Sequence, residues 1–315
     1  MNRPAPPARW NWSAALRQAA AFALLAALLV LMFRVTGANL HARGVHTGFD
    51  FLGKPAITPV FNSPLEFQPG VDTFAMALLA GALNTLKLTA ASIVLASVLG
   101  LLVGLGALAR NPLARSLARA YVELMRNVPV LLHVAFWYGL LLELPPASDS
   151  AGSLLLASNR GIFLFPTVDG LDVHGMVSMS PEFAALLIGI SLYTAAFIAE
   201  IVRASVGALP RGQLEAASAL GLSRSATLRR VLGPQALRVG LPPLASEYIG
   251  IFKNSTLAVT IGYQDFMAVS DTMLTDTGQA VEIMAIVMLF YACVSLAVSA
   301  AMHAFEQRHR RWELA

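Results

Sequence analysis

The sequence predicts an all-α membrane protein of six transmembrane helices, and three observations predict it. Of its 315 residues, 57% are hydrophobic and 13% charged, with a mean hydropathy of +0.65, whereas a soluble domain carries about 25% charged residues. The apolar residues gather in runs near the ~20 residues that an α-helix needs to cross roughly 30 Å of hydrocarbon. A barrel would instead show alternating segments of about ten residues. Finally, the arginines concentrate in alternate connections between the runs.

The first run, residues 18–33, follows a basic stretch carrying Arg3, Arg9 and Arg17. A cleaved signal segment shares that layout, but this run ends on Arg34 and residues 35–40 contain only a weak small-x-small site. Either reading leaves the later spans oriented alike. Residues 36–73 form a long connection rich in Gly, Pro and aromatics. The apolar stretch 74–83, before Asn84, Thr85 and Lys87, is expected to lie along the membrane interface. The remaining spans are 86–108, 128–144, 183–202, 243–261 and 281–303. Between the second and third of these lies the connection 145–181, too long for a tight turn and read as a lid, a docking surface or a plain surface loop.

Orientation follows from charge. One set of connections holds sixteen arginines: Arg3, Arg9 and Arg17; Arg110, Arg115, Arg119 and Arg126; Arg203, Arg211, Arg224, Arg229, Arg230 and Arg238; and Arg308, Arg310 and Arg311. The other set holds four basic residues, Arg34, Arg43, Lys54 and Arg160, and its last member carries Asp265, Asp271 and Asp276 instead. The positive-inside rule then puts both termini in the cytoplasm. The expected organisation is a tail and first helix over 1–35, an external and interfacial segment over 36–83, a membrane core over 84–307 with a cytoplasmic loop at 203–240, and a tail over 308–315.

Several functions are excluded by composition. A single Cys293 permits no disulfide framework or cysteine metal site within the chain. His41, His46, His133, His174, His303 and His309 show no metal-ligand spacing, so no metal is expected. The net charge of +4 and pI near 9.5 follow from the cytoplasmic arginines and require no nucleic-acid partner. None of Lys54, Lys87 and Lys253 follows a phosphate-cradling glycine pattern, so the chain is expected to bind no cofactor and hydrolyse no ATP. No paired aspartates, Ser/His pairing or HExxH occur in the spans, and no catalytic residue is assigned.

Between the fourth and fifth spans, Pro210 suits a helix's first turn, Ala216, Ala217, Ala219 and Leu220 favour helix, and Gly221 suits its end. Ser223 is placed to cap a second short helix that Pro234 then limits. Exposed alanines admit close approach of another backbone, and Glu215 with the arginines can set its register. An ordinary arginine-rich loop explains the same composition equally well. However, Glu215-Ala216-Ala217, with Gly221 four positions on and Pro234 thirteen beyond that, resembles the EAA loop of binding-protein-dependent ABC importer permeases. Gly212 lies in the same loop. Two positions depart from that family's pattern: Val231 replaces Ile, and Gly233 stands where Leu is usual, which is expected to weaken the second helix.

Further strings resemble the polar amino-acid branch: Arg126-Asn-Val-Pro129, Ala195 to Arg203, Lys253-Asn254-Ser255-Thr256-Leu257-Ala258, Ile261 to Phe266 and Thr277 to Glu282. Thr47-Gly48-Phe49-Asp50 and Asn159-Arg160-Gly161 resemble its general L-amino-acid permease subgroup. The resemblance implies the type I ABC importer permease fold, one N-terminal helix plus a five-helix core, in a bacterial inner membrane. It implies that the loop is a coupling helix inserted into a cytoplasmic ABC ATPase dimer whose subunits bind ATP and Mg. It also implies a second permease subunit or a self-dimer, a periplasmic amino-acid-binding protein, and L-amino acids as cargo. An ion-coupled secondary amino-acid transporter is the alternative, although such carriers show internal repeats and have no need of this loop.

Charged groups within apolar runs need a reason. Lys253 falls about ten residues, roughly 15 Å of helix, after Pro243. With Asn254, Ser255 and Thr256 it forms a polar notch, read as facing a translocation cavity, as a bond to a neighbouring helix, or as a broken span. Glu200 stands one turn before Arg203, suited to a surface ion pair or to a substrate amino group. Lys87, at the outer mouth, reads as an interface anchor in preference to a substrate ligand. Gly100 and Gly104 form a small-xxx-small face for contact with another span or a partner subunit.

Overall fold

A computed structural model describes residues 12–42, 48–146, 154–169 and 172–311. The arginines before Trp12, Arg43, Thr47 and the chain beyond Arg311 lie outside the described residues. Among the described residues, four helices are long and apolar enough to cross a membrane, over Leu16–Asn39, Phe74–Ala107, Pro181–Gly207 and Ala280–Phe305. The first belongs to α1 (Trp12–Ala42), whose apolar window is not buried against the rest of the chain.

The bundle is organised around α5 (Pro181–Gly207), the most buried of these spans. Small residues at its contacts with three neighbours let the backbones close together. On α2 (Phe74–Ala107), a Cβ added at Gly100 would lie 2.6 Å from Ile198 Cβ, and one at Gly104 would lie 2.8 Å from Val202 Cβ. On α5 itself, Gly189 abuts Val134 of α4 (Val130–Leu142), and Gly240 of α8 (Gly233–Asn254) abuts Ser205. This is the close packing that small residues permit where no hydrophobic effect drives helices together. The Gly100/Gly104 face is therefore occupied within this chain by α5. Leu88, Ile190, Ile198, Ile251 and Tyr263 fill the interior between these helices.

The third expected span, 128–144, holds only the 13-residue α4, which follows α3 (Pro112–Asn127) across a 100° bend at Val128–Pro129, where proline removes an amide and pushes its predecessor to the extended φ/ψ seen at Val128. The fifth expected span also differs. Helix α8 begins ten residues before Pro243, runs through Pro242 and Pro243, and becomes a 3₁₀ turn over Ser255–Ile261. Between Pro243 and Ile261 the α-helix is therefore not continuous.

At the end where α5 begins, a second apolar core forms. Helix α2 spans 34 residues, about 51 Å, well beyond the ~30 Å of hydrocarbon. Its first turns do not lie flat as an interfacial stretch before residue 84. They continue in one helix, and Phe74, Ala77 and Leu78 pack with Phe51, Val60, α9 (Phe266–Thr277) and the first turns of α10 (Ala280–Arg311). Crossing bonds tie the 48–72 segment down: Gly48 N–H donates to Glu282 Oε1 at 2.9 Å, and Gln264 Nε2 to the Pro59 carbonyl at 2.7 Å.

The connection before α5 contains strands that the sequence reading did not anticipate. Strands β1 (Leu155–Ser158), β2 (Gly161–Leu164) and β5 (Val177–Met179) make an antiparallel sheet in the order β1-β2-β5. The hairpin β3 (Thr167–Asp169) and β4 (Asp172–His174) is inserted between β2 and β5. Asn159 and Arg160 form the two-residue turn, with Ser158 opposite Gly161. Gly161 adopts φ +135° and lies where a Cβ would fall 2.2 Å from the Met179 carbonyl oxygen, so no other residue fits there.

Candidate functional site

At the opposite end of the bundle, α5 stops at Gly207 and the chain turns through Pro210 into α6 (Arg211–Ala219). Pro210 is the cap preceding the helix. Gly221 reverses the chain at φ +70°, the left-handed conformation that glycine adopts without penalty. Ser223 then caps α7 (Arg224–Thr227) by accepting from Ala226 N–H at 3.2 Å. The second helix is not a separate short one limited by Pro234. A five-residue π turn, Leu228–Leu232, joins α7 to α8, and Pro234 occupies the first turn of α8, where its missing amide is harmless.

Helix α6 presents Gly212, Glu215, Ala216, Ala219 and Leu220 to the exterior, Leu220 at 79% exposure, while Ala217 is buried. Beneath it runs a crevice of about 790 Å³, lined by Leu105 and Leu108 of α2, Val206 of α5, and Leu214, Leu228 and Leu232. Helix α6 thus stands off the bundle on a narrow base, and Gln235 Nε2 reaches Gln213 Oε1 at 3.5 Å to brace it. A short helix with an open Glu/Ala face and a left-handed glycine behind it can receive a partner and be displaced by it.

The residues expected to line a cavity are not brought together. Glu200 lies near the loop end of α5, paired with Arg203, whose Nε donates to Oε2 at 2.8 Å. Lys253 lies at the far end of α8, thirteen residues (about 20 Å of helix) beyond the Gly240–Ser205 contact. The notch at Lys253 is a helix-to-3₁₀ transition. Ser255 Oγ donates to the Phe252 carbonyl and Thr256 Oγ1 to the Lys253 carbonyl, both at 2.8 Å. Lys253 itself is exposed and Asn254 half-buried. Lys87 donates to the Asn62 carbonyl at 3.0 Å and lies 4.9 Å from the Phe183 ring centroid.

Two groups were missed by the sequence reading. Glu247 is a half-buried carboxylate on α8, and Arg126, stacked 4.9 Å over Phe197, acts electrostatically on both it and Glu200. The signal was present, since Glu247 interrupts an apolar run just as Lys253 does. Asp265 caps α9 by accepting Ala268 N–H at 2.9 Å and is fully buried beside Thr85 and Tyr291. Burial pushes its carboxyl up to about 7, against the opposing pull of the Ala268 and Met267 amides and the Tyr291 and Thr85 hydroxyls. No sequence signal distinguishes it from Asp271 or Asp276, because only the fold buries it.

The chain can be set beside known proteins. Residues 93–311 match the family described as binding-protein-dependent transport system inner membrane component. The putative amino-acid ABC transporter permease protein YhdX of Escherichia coli is 35% identical, over 91% of this chain and 93% of that one. The general L-amino acid transport system permease protein AapQ of Rhizobium johnstonii is 34% identical, over 87% and 86%. Among solved structures, that of an amino acid ABC transporter with histidines superposes with a TM-score of 0.59 at 25% identity, covering 75% of this chain and 95% of that one. The MetNI methionine ABC transporter in its inward-facing form shares the fold, with a TM-score of 0.55 at 18% identity over 75% and 97%. The fold is therefore that of ABC importer permeases, and this chain belongs to the family of binding-protein-dependent transport system inner membrane components.

Proposed function

We propose that the chain is the membrane-spanning permease of an ATP-driven importer that carries L-amino acids into a bacterium, with α6 as its coupling helix. The observation that carries this reading is the open Glu215/Ala216 face of α6, backed by Gly221 at φ +70° and set off from the bundle by a crevice. The arginine asymmetry supports a cytoplasmic position for this loop and both termini, and a periplasmic position for the β-sheet and the 48–72 segment. ATP and Mg then belong to a pair of ABC ATPase subunits, and cargo arrives on a periplasmic amino-acid-binding protein. The pore is completed by a second permease subunit or a second copy of this chain. Closure of the ATPase pair displaces α6, and the α5–α8 contact carries that displacement into the spans. Lys253, Asn254, Ser255, Thr256 and Glu200 are the residues we assign to the substrate path, joined by Arg126 and Glu247, whose opposite charges suit a zwitterion.

The test is Glu215→Lys or Gly221→Asp. Each should leave the protein in the membrane at the wild-type level while abolishing uptake and substrate-stimulated ATP hydrolysis. Full uptake by either variant would overturn the assignment.

A further inference from the structure

Gly233 departs from the EAA-loop pattern, and its surroundings account for the departure. Its backbone is ordinary right-handed helix, φ −59° and ψ −51°, so no left-handed turn calls for glycine. Glycine within a helix is less favourable than alanine, so something local must require it. The requirement is steric. A Cβ at 233 would lie 2.6 Å from the carbonyl oxygen of Leu228, a backbone atom that cannot swing aside as a side chain could. That same carbonyl accepts the Gly233 N–H five residues on, the bond that closes the π turn over Leu228–Leu232.

A π turn places one more residue in the helical ladder than an α-helix would. Closing it to α geometry with the same residues would turn everything on its N-terminal side by about 100° and move it about 1.5 Å along the axis. On that side lie α7, Gly221 and α6. The turn also forms the seat of α6. Leu228 and Leu232 line the crevice beneath it, and Gln235, just past the turn, donates to the Val231 carbonyl at 3.0 Å while reaching Gln213 of α6 at 3.5 Å.

We infer that Gly233 is a positioning residue for coupling: by admitting the π turn it sets the rotation of α6, and hence the direction in which Glu215 and Ala216 meet the ATPase subunit. This rests on the permease reading above. It reverses the expectation that Gly233 merely loosens the loop. The chain carries one residue more than an α-helical ladder holds here, and glycine absorbs it without turning the docking face.

The inference predicts a rescue that simple helix weakening does not. In the assembled transporter, Gly233→Ala should improve helix propensity yet lower uptake at least tenfold, with protein levels in the membrane unchanged. Deleting Pro234 in the Gly233→Ala background removes at once the surplus residue and the proline that the interior of a plain α-helix does not tolerate, restores the rotation, and should return uptake to within about threefold of wild type. Spin labels on Ser218 and Val239, in a Cys293→Ser background, should report a displaced distance in Gly233→Ala and the original distance in the double variant. Wild-type uptake by Gly233→Ala would overturn the inference, as would a double variant no better than the single one or an unshifted label distance. If Glu215→Lys abolishes uptake while Gly233→Ala does not lower it, this inference alone fails. If Glu215→Lys transports normally, the permease reading fails with it.

Discussion

Asp265 makes the stability of the fold depend on pH, and Asp265→Asn isolates the effect. The carboxyl is fully buried where α9 begins, in contact with Thr85, Tyr291 and the α9 amides, with no cation among these partners. Lys87, on the neighbouring helix, is directed instead to the Asn62 carbonyl. Burial raises the folded value from 3.8 to about 7, so the folded state holds the proton more tightly than the unfolded chain. The sign follows from linkage: the contribution is fully present below about 3.8 and is lost as pH rises through about 7. Each pH unit inside that window is worth about 1.36 kcal/mol, so raising the pH from 5 to 8.5 costs roughly 3 kcal/mol. For a chain of this size that corresponds to a fall in Tm of roughly 5 °C. Asparagine still caps α9 through its side-chain oxygen and does not titrate. Thermal unfolding of both proteins in detergent micelles across pH 5 to 8.5 reads the effect. The wild type should fall relative to the variant as pH rises from 5 and level off above about 7, with half of the change complete near pH 6. Parallel curves for the two proteins would refute the reasoning.

Two further predictions concern packing and hydrogen bonding. Thr85→Val keeps the side-chain shape but deprives the buried Phe266 N–H of its 2.9 Å acceptor; an orphaned amide costs about 1–3 kcal/mol, to be read as a lower Tm at constant pH. Gly100→Leu drives a side chain into Ile198 and the Ala195 carbonyl, 2.6 and 2.9 Å from the added Cβ, and should cost about 1–3 kcal/mol or more. Gly106→Ala, whose Cβ meets nothing nearer than 3.6 Å, is the control and should fold with wild-type yield.

The loop that holds α6 was legible because its chemistry is local. Pro210, the alanines, Gly221 and Ser223 each state a backbone preference that the fold obeys. The apolar runs likewise located α1, α2, α5 and α10, although α1 and α2, at 31 and 34 residues, extend well beyond the runs 18–33 and 86–108. Elsewhere the same signal was ambiguous. Residues 74–83 are apolar whether they face lipid or a protein core, and only their contacts with Phe51 and α9 show that they are core. Pro242 and Pro243 read as a span boundary, yet α8 passes through them. The strands between α4 and α5 are three or four residues long, too short to declare an alternating pattern. The π turn has no local signature except Gly233, whose role depends on a carbonyl five residues away.

In the proposed function, this chain moves solute only when a separate motor drives it through α6. The most direct measurement is amino-acid uptake into proteoliposomes containing the permease, with its ATPase subunits either present or omitted and the binding protein supplied on the outside. Uptake should be ATP-dependent when the ATPase subunits are present, and absent when they are omitted or when Glu215→Lys replaces the wild type. Uptake that persists without the ATPase subunits, driven by an ion gradient, would contradict it.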